Sequence, residues 1–300
     1  MLYYILKAVS LVACLLPRCI CDYLGQVLGY FFWLCIPPKR RRMAMEQAKM
    51  CLQVNDSEAR RIVRSSTVQF GPMLFEVLRF PVIKKHPEQY IRIEGLESLQ
   101  KSMAEGKGVI IAAAHSGNWE LQGGAFAMAG IPLVGVAKKQ KDVGADKFMN
   151  EYRSLIGMHI TYKTDVREMF AMLKKGWAIG LITDQDPDRK NGVVVNFFGR
   201  PTNTPHGSAS MARSQGVPIF ISFMHRDKDG SHTLMVKGPF RVDKTADKHV
   251  DVVRTTQLIN NAIEAHIRKY PEEWFWLHDR WKSIREEFPD KPWLQAQNND

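Results

Sequence analysis

Residues 109–120 read Val-Ile-Ile-Ala-Ala-Ala-His-Ser-Gly-Asn-Trp-Glu. The first six residues form a short apolar run without charge, which indicates a buried strand. His115 follows at the carboxyl end of that strand, where open α/β sheets place their ligand sites. Gly117 permits a sharp turn and Asn118 is a good helix cap, so a helix is predicted over residues 119–129. The pattern therefore predicts a strand, a polar turn and a helix.

The same alternation continues along the chain. The predicted strands are residues 108–114, 132–137, 177–183, 193–198, 217–224 and 234–237. Residues 164–175 and 249–269 have the apolar period of helices, and residues 43–80 read as helices with a start at Asp56 or Ser57. This alternation of strands and helices indicates the α/β class.

The amino terminus is the most apolar part of the chain. Between Met1 and Ile36 the charged residues are Lys7, Arg18 and Asp22. A spanning helix needs about 20 mostly apolar residues, and residues 19–36 fall slightly short of that. Three interpretations stay open: a transmembrane or re-entrant anchor, an interfacial amphipathic hairpin broken at Pro17, and a soluble core helix. Of these we predict an N-terminal hydrophobic membrane helix.

Much of the positive charge directly follows this apolar segment. The formal net charge is +11, and eight bases with only three acids stand between Lys39 and Arg64. Such a basic window favours the cytoplasmic side of a membrane. It carries almost no interleaved aromatic residues, so we predict no nucleic-acid partner. The predicted organisation is a membrane anchor at residues 1–38 and one catalytic domain at residues 39–300.

Cysteine chemistry is excluded from the body of the chain, because all five cysteines lie in the first 51 residues. The remainder has no thiol for a disulfide, a zinc site or a nucleophile. It also contains no His-Glu-x-x-His pattern and no Cys/His cluster. We therefore predict no metal and no cofactor.

His115 and Glu120 are candidates for acid–base chemistry. On one continuous helix a five-residue spacing turns the side chains about 140° apart, whereas on a strand-to-helix turn they can meet. A carboxylate beside an imidazole fixes its tautomer while the imidazole removes a proton from a hydroxyl. Because the chain has no Gly-x-Ser-x-Gly elbow, that hydroxyl is assigned to the substrate, which predicts direct transfer. On spacing alone, a strand-end histidine and a helix-start acid remain an alternative.

The stretch from His115 to Glu120 resembles the His-x4-Asp/Glu signature of lysophospholipid acyltransferase-like enzymes, in the form found in the late acyltransferases of lipid A biosynthesis. Further stretches are similar to that family in the same order: Asp184-Gln-Asp, Phe197-Phe-Gly-Arg-Pro with Thr204 and Gly207, and the aromatic block Trp274–Lys282. With the apolar amino terminus, the likeness covers nearly the whole chain. It implies a mixed central sheet flanked by helices, as in glycerolipid acyltransferases.

The resemblance also implies an activity. It is the transfer of a fatty acyl group from acyl carrier protein or acyl-CoA to a hydroxyl of a glycolipid, foremost a lipid A precursor. The implied place is the cytoplasmic face of a bacterial inner membrane, with membrane lipids, the acyl donor and the glycolipid acceptor as partners. Another glycolipid, such as a phosphatidylinositol mannoside, is the first alternative, and hydrolysis by an activated water is the second.

Residue by residue, the resemblance implies that His115 is the base and Glu120 its partner. Arg153 is expected to contact the developing oxyanion or a substrate phosphate. The expected substrate-binding residues are Asn118, Lys138, Lys139, Asp184, Asp186 and Arg200. The two aspartates are expected to orient the acceptor sugar, to support the catalytic pair, or to be ordinary loop residues. The aromatic block is expected either at a bilayer interface or in the core.

Overall fold

A computed structural model describes residues 1–187 and 189–288, without the side chain of Lys190. The helices are α1 (Leu2–Leu15), α2 (Arg18–Cys35), α3 (Pro38–Leu52), α4 (Asp56–Val68), α5 (Phe70–Leu78), α6 (Phe80–Ile83), α7 (Leu96–Met103), α8 (Trp119–Met128), α9 (Val143–Leu155), α10 (Val166–Lys174), α11 (Gly207–Gln215), α12 (Lys248–Lys269) and α13 (Lys282–Glu287). The strands are β1 (Ile91–Glu94), β2 (Val109–Ala113), β3 (Leu133–Ala137), β4 (His159–Tyr162), β5 (Ala178–Ile182), β6 (Gly192–Phe197), β7 (Arg200–Pro205), β8 (Ile219–Arg226) and β9 (His232–Phe240). The end of the predicted catalytic domain, residues 289–300, lies outside the described residues.

Seven of these strands form one mixed sheet in the order β1-β9-β8-β2-β5-β3-β4. The five strands from β8 to β4 run parallel, and β9 is antiparallel to β8. Strand β2 lies inside the sheet and is buried at all five positions, as expected for a parallel strand covered by helices on both faces. The predicted α/β fold with a mixed central sheet is confirmed.

All six predicted strands and the helices over residues 119–129, 164–175 and 249–269 are present, as β2, β3, β5, β6, β8, β9, α8, α10 and α12. One of the strands has an unexpected place, because β6 pairs with β7 in a separate antiparallel hairpin. Helix α4 is capped one residue earlier than predicted: the side chain of Asn55 accepts a hydrogen bond from the backbone N–H of Glu58.

The carboxyl-terminal aromatic block belongs to the core. Trp274, Trp276 and Trp281 are each at most 2% exposed, so the core interpretation is confirmed and the bilayer-interface alternative is wrong for these side chains. Gln47 of α3 holds the block in place by donating to the carbonyl oxygens of Trp276 at 3.0 Å and His278 at 2.9 Å. The block is thereby fixed against the helix that follows the apolar segment.

The apolar amino terminus forms two helices that bend apart at Pro17. Helix α2 packs tightly on α5, because a Cβ atom on Gly25 would lie 2.7 Å from the Cα atom of Pro72. No single helix of the described chain is long and apolar enough to cross a membrane, although α2 and α3 together have the length and composition with a bend of 103° between them. The predicted membrane helix is therefore not confirmed.

Candidate active site

Two neighbouring strands bring His115 and Asp184 together. β2 and β5 are parallel partners, and Ala113 lies opposite Ile182 in their register. His115 and Asp184 each follow two residues later, so both side chains emerge at the same edge of the sheet. The Nδ1 atom of His115 lies 2.8 Å from Oδ1 of Asp184, and the backbone N–H of His115 donates to Oδ2 at 3.0 Å.

Asp184 is only 1% exposed and has a third donor, the indole N–H of Trp274, at 2.7 Å. Burial alone would raise the pKa of Asp184, but the His115 imidazole and the Trp274 indole hold that pKa below its usual value. An ionised carboxylate accepts hydrogen bonds only, so it keeps the imidazole proton on Nδ1 of His115. The other ring nitrogen, Nε2, then has a free lone pair, and the His115 side chain is 22% exposed.

Glu120 is not the hydrogen-bond partner of His115, so the predicted pairing is wrong. Its two carboxylate oxygens accept from Nε and Nη2 of Arg153, each at 2.7 Å. A guanidinium presents two parallel N–H groups that match a carboxylate, and this geometry outcompetes an imidazole for Glu120. Burial works against the charge of Arg153, but Glu120 raises its pKa above the usual value. The predicted catalytic roles of Glu120 and Arg153 stay predictions.

The turn after His115 is locked to the aromatic block by backbone hydrogen bonds. The N–H of Gly117 donates to the carbonyl of Glu273 at 2.9 Å, and the N–H of Phe275 donates to the carbonyl of His115 at 3.0 Å. Gly117 has φ +57°, and a Cβ atom there would lie 2.4 Å from the carbonyl oxygen of Met224. Only glycine fits this position without strain.

Ser116 has no access to a substrate, because it is 0% exposed. Its hydroxyl lies 2.7 Å from Nε2 of His266, and burial lowers the pKa of that histidine to about 3, so the ring is neutral. A Ser116 acyl intermediate is thus excluded by burial, in agreement with the missing serine elbow.

The predicted role of Asn118 as a helix cap is confirmed, whereas its predicted contact with substrate is contradicted. Its Oδ1 accepts from the backbone N–H of Leu121 at 2.9 Å, and its Nδ2 donates to Oε2 of Glu76 at 2.7 Å. The residue is 2% exposed, so both ends of the amide are used inside the protein.

Asp186 is likewise engaged within the fold. Its carboxylate accepts from the backbone N–H of Ser283 at 2.7 Å and from the Ser283 hydroxyl at 2.6 Å, and its own N–H donates to Nε2 of His278 at 2.9 Å. These contacts hold the start of α13. They favour the ordinary loop role among the alternatives predicted for Asp186, whereas Asp184 supports His115, which was another of those alternatives.

The predicted basic residues lie in two places. Lys138 and Lys139 are exposed at the carboxyl end of β3, next to β5, and so they share an edge of the sheet with His115. Arg200 is half-buried at the start of β7, opposite Phe197 in the hairpin. The substrate contacts predicted for these three residues stay predictions.

An aromatic surface beside the imidazole was missed by sequence reasoning. The ring of Trp119 lies 5.1 Å from that of His115, and Phe70 packs against Phe275 at 5.1 Å and Trp119 at 5.5 Å. These half-buried rings give the site an apolar side suited to a fatty acyl chain. Within residues 1–187 and 189–288, no three His, Cys, Asp or Glu side chains are placed to hold a metal ion.

Glu273, beside Gly117, has a strongly shifted carboxyl group. Burial raises its pKa to about 7, although a hydrogen bond from Gln69 works against that shift. The folded protein therefore keeps a proton that the unfolded chain releases above its ordinary pKa of 4.5. By linkage, the free energy of unfolding falls as pH rises from about 4.5 to 7, by roughly 2 kcal/mol for this half-buried group.

We expect Glu273→Gln to flatten this dependence of the unfolding free energy on pH, because the variant has no carboxyl group to titrate at that position. Urea titrations at pH 5, 6, 7 and 8 measure the slope. An unchanged slope would contradict the raised pKa of Glu273.

The site combines a buried carboxylate, an oriented imidazole with a free Nε2, a rigid Glu120–Arg153 pair and an apolar wall. Residues 1–283 match the family described as bacterial lipid A biosynthesis acyltransferase. The chain belongs to this family. As a member of it, the protein is an O-acyltransferase that acts on a lipid acceptor, and the recognised family resemblance is confirmed.

The chain is also similar to curated glycolipid acyltransferases of two kinds. The phosphatidylinositol mannoside acyltransferase of Mycolicibacterium smegmatis is 26% identical over 81% of this chain and 78% of its own length. The lipid A biosynthesis palmitoleoyltransferase of Escherichia coli K12 is 22% identical over 89% of this chain and 87% of its own length. A lipid A biosynthesis acyltransferase of Haemophilus influenzae is 25% identical over 91% of this chain and 87% of its own length.

One solved structure, the 1-acyl-sn-glycerophosphate acyltransferase of Thermotoga maritima, is similar at a TM-score of 0.40 and 11% identity, over 86% of this chain and 99% of that one.

Proposed function

We propose that this acyltransferase moves a fatty acyl group from an acyl thioester, on acyl carrier protein or CoA, directly to a hydroxyl of a glycolipid. One observation carries the proposal: buried Asp184 holds Nδ1 of His115 at 2.8 Å, which leaves Nε2 as a base. The wholly buried Ser116 offers no covalent alternative. In this proposal Asp184, and not Glu120, is the partner of the catalytic histidine.

The proposed step takes place in a ternary complex of the enzyme, the acyl thioester and the acceptor. The acceptor O–H gives its proton to Nε2 of His115, while its oxygen attacks the thioester carbonyl carbon and forms the C–O bond. Asp184 stabilises the imidazolium that results. When the tetrahedral intermediate collapses, the C–S bond breaks and the sulfur takes the proton from Nε2. The products are an ester and a free thiol.

Arg153 and the exposed lysines are assigned to the charges of the substrates. Glu120 holds the guanidinium of Arg153 in a fixed plane, and a fixed cation suits a developing oxyanion or a phosphate. Lys138 and Lys139 are assigned to phosphates of the acyl donor's arm or of the lipid, because they are exposed at the same edge of the sheet as His115.

A lipid A precursor is the first candidate acceptor, because the family match over residues 1–283 carries that description. A phosphatidylinositol mannoside is the second, because an acyltransferase of that glycolipid is 26% identical over 81% of this chain. Both acceptors are glycolipids, and the proposed base requires a hydroxyl on the acceptor.

The proposed place is the cytoplasmic face of a bacterial inner membrane. Helix α2 buries one face against α5 and leaves Tyr30, Phe31 and Leu34 exposed on the other, by 49%, 59% and 71%. The basic start of α3, Lys39 to Arg42, follows directly and suits anionic lipid headgroups. Flotation with anionic vesicles tests this, and binding that survives replacement of all three side chains by serine would overturn it.

The activity is tested with labelled acyl thioester and each candidate acceptor. We expect label in the lipid A precursor, and we expect His115→Ala to lower transfer by at least about 10³-fold with folding intact. His159→Ala is a matched control. His159 is a half-exposed histidine at the start of β4, and it pairs with Glu168. Label in the phosphatidylinositol mannoside alone would show that the mannoside, and not the lipid A precursor, is the acceptor. Label recovered only as free fatty acid would overturn transfer in favour of hydrolysis.

A further inference from the structure

Glu76 of α5 is a buried carboxylate behind the catalytic turn. It is 8% exposed and accepts hydrogen bonds from Asn118 at 2.7 Å, from His232 at 2.9 Å and from the guanidinium of Arg226. Burial alone would raise the pKa of Glu76, but the facing His232 and Arg226 hold it at about 2, so the group is ionised. A buried charge is costly unless it is paired in this way.

The contact with Asn118 fixes which end of that amide faces which neighbour. A carboxylate can only accept, so it requires the NH2 of Asn118 on its side, and Oδ1 must then face the backbone N–H of Leu121. A reversed amide would bring two donors together at the start of α8. The orientation of Asn118 is therefore set by Glu76, and it determines the cap of the helix whose first turn carries Glu120.

We infer that Glu76 is a positioning residue for acyl transfer, which acts through Asn118 on the turn between His115 and Glu120. The inference rests on the proposed function for its kinetic consequence and on geometry alone for its structural one. Glu76 touches neither His115 nor Arg153 among the contacts of the described chain. Its effect is on where the first turn of α8 stands, and small displacements of reacting groups cost about 10²-fold in rate.

The same network reaches the apolar amino terminus. Nη1 of Arg226 lies 3.7 Å from a carboxylate oxygen of Asp22 on α2, and Asp22 lies 3.6 Å from Nε of Arg18. Glu76 thus shares Arg226 with the helix that is proposed to lie on the bilayer. Side-chain contacts therefore connect the turn between His115 and Glu120 with helix α2.

The test is Glu76→Gln in the full-length chain, assayed for transfer and for amide hydrogen exchange. An amide in this place has one accepting oxygen for three donors, so the Asn118 contact is weakened while the side-chain volume is kept. We expect kcat to fall about 10- to 100-fold with KM changed less than threefold. We also expect faster exchange at residues 119–122, a readout that does not depend on the acceptor being correct.

A double-mutant cycle separates positioning from mere stability. Asn118→Ser keeps a capping oxygen and removes the NH2 that faces Glu76, so Glu76→Gln should have little further effect on kcat in that background. Asp251→Asn is the matched control, because Asp251 is also buried and pairs with Arg213 at 2.7 Å between α11 and α12. It should lower stability without changing kcat per folded molecule.

Two results would overturn the inference. One is an unchanged kcat per folded molecule in Glu76→Gln, with the same loss of stability as Asp251→Asn. The other is unchanged exchange at residues 119–122. If the wild-type protein transfers acyl groups to neither candidate acceptor, the proposed function fails, and the exchange measurement still decides whether Glu76 holds the start of α8.

Discussion

Asp184→Asn is expected to lower kcat by about 10³- to 10⁴-fold with little change in KM. The carboxylate accepts from three N–H groups: the backbone and Nδ1 of His115, and the indole of Trp274. An asparagine offers one oxygen, which the backbone and indole donors engage, and its NH2 then faces Nδ1 of His115. The ring must present a lone pair at Nδ1, so its proton moves to Nε2 and the base is lost.

Steady-state kinetics with labelled acyl thioester measures this, with circular dichroism to show that the variant folds. Asp186→Asn is the control, because that carboxylate holds Ser283 at the start of α13 and touches no catalytic group. It should cost stability and leave kcat within about threefold, as expected for a loop contact. If Asp184→Asn retained more than a tenth of the wild-type kcat, Asp184 would not be the partner of the base.

Glu120→Ala is expected to lower the free energy of unfolding by about 3 to 5 kcal/mol, because it strands the charge of Arg153. The side chains of Glu120 and Arg153 are only 13% and 12% exposed, and their two parallel hydrogen bonds are both 2.7 Å long. Equilibrium unfolding in urea measures the loss. A change below about 1 kcal/mol would mean that the pair is screened like a surface ion pair.

Replacing both residues separates their stability from their chemistry. Glu120→Met with Arg153→Met removes both charges and keeps apolar volume, so most of the lost stability should return. Transfer should not return, because no cation is left for the developing oxyanion or a phosphate. A stable double variant with wild-type kcat would show that the pair serves the fold alone and would end the proposed role of Arg153.

The strand, the turn and the helix around His115 could be predicted from local sequence because each depends on neighbouring residues. The apolar run of residues 109–114 forms β2, and Asn118 caps α8. The identity of the partner of His115 could not be predicted in this way. It depends on β5 lying next to β2 in the sheet, and strand order is a long-range property that apolar periodicity does not encode.

Two further features that the sequence left open have similar physical causes. β6 looks like a sheet strand by composition, yet within the described residues it pairs with β7 in a separate hairpin. β7 begins Arg200-Pro201 and has no apolar run to identify it. The aromatic block suited an interface as well as a core, because composition does not distinguish the two. The block lies in the core because of its hydrogen bonds to other elements. The indole of Trp274 donates to Asp184, and Gln47 donates to the carbonyl oxygen of Trp276.

The indole of Trp274 lies 90 residues beyond the aspartate that it contacts, and the segment around it supplies the backbone partners of His115 and Gly117. A ribosome therefore completes the amino-terminal helices and most of the sheet well before His115 can be fixed in place. Because chains fold from the amino terminus during synthesis, the amino-terminal helices can form before the site is complete. The orientation of His115 is thus acquired only after the segment around Trp274 has been made.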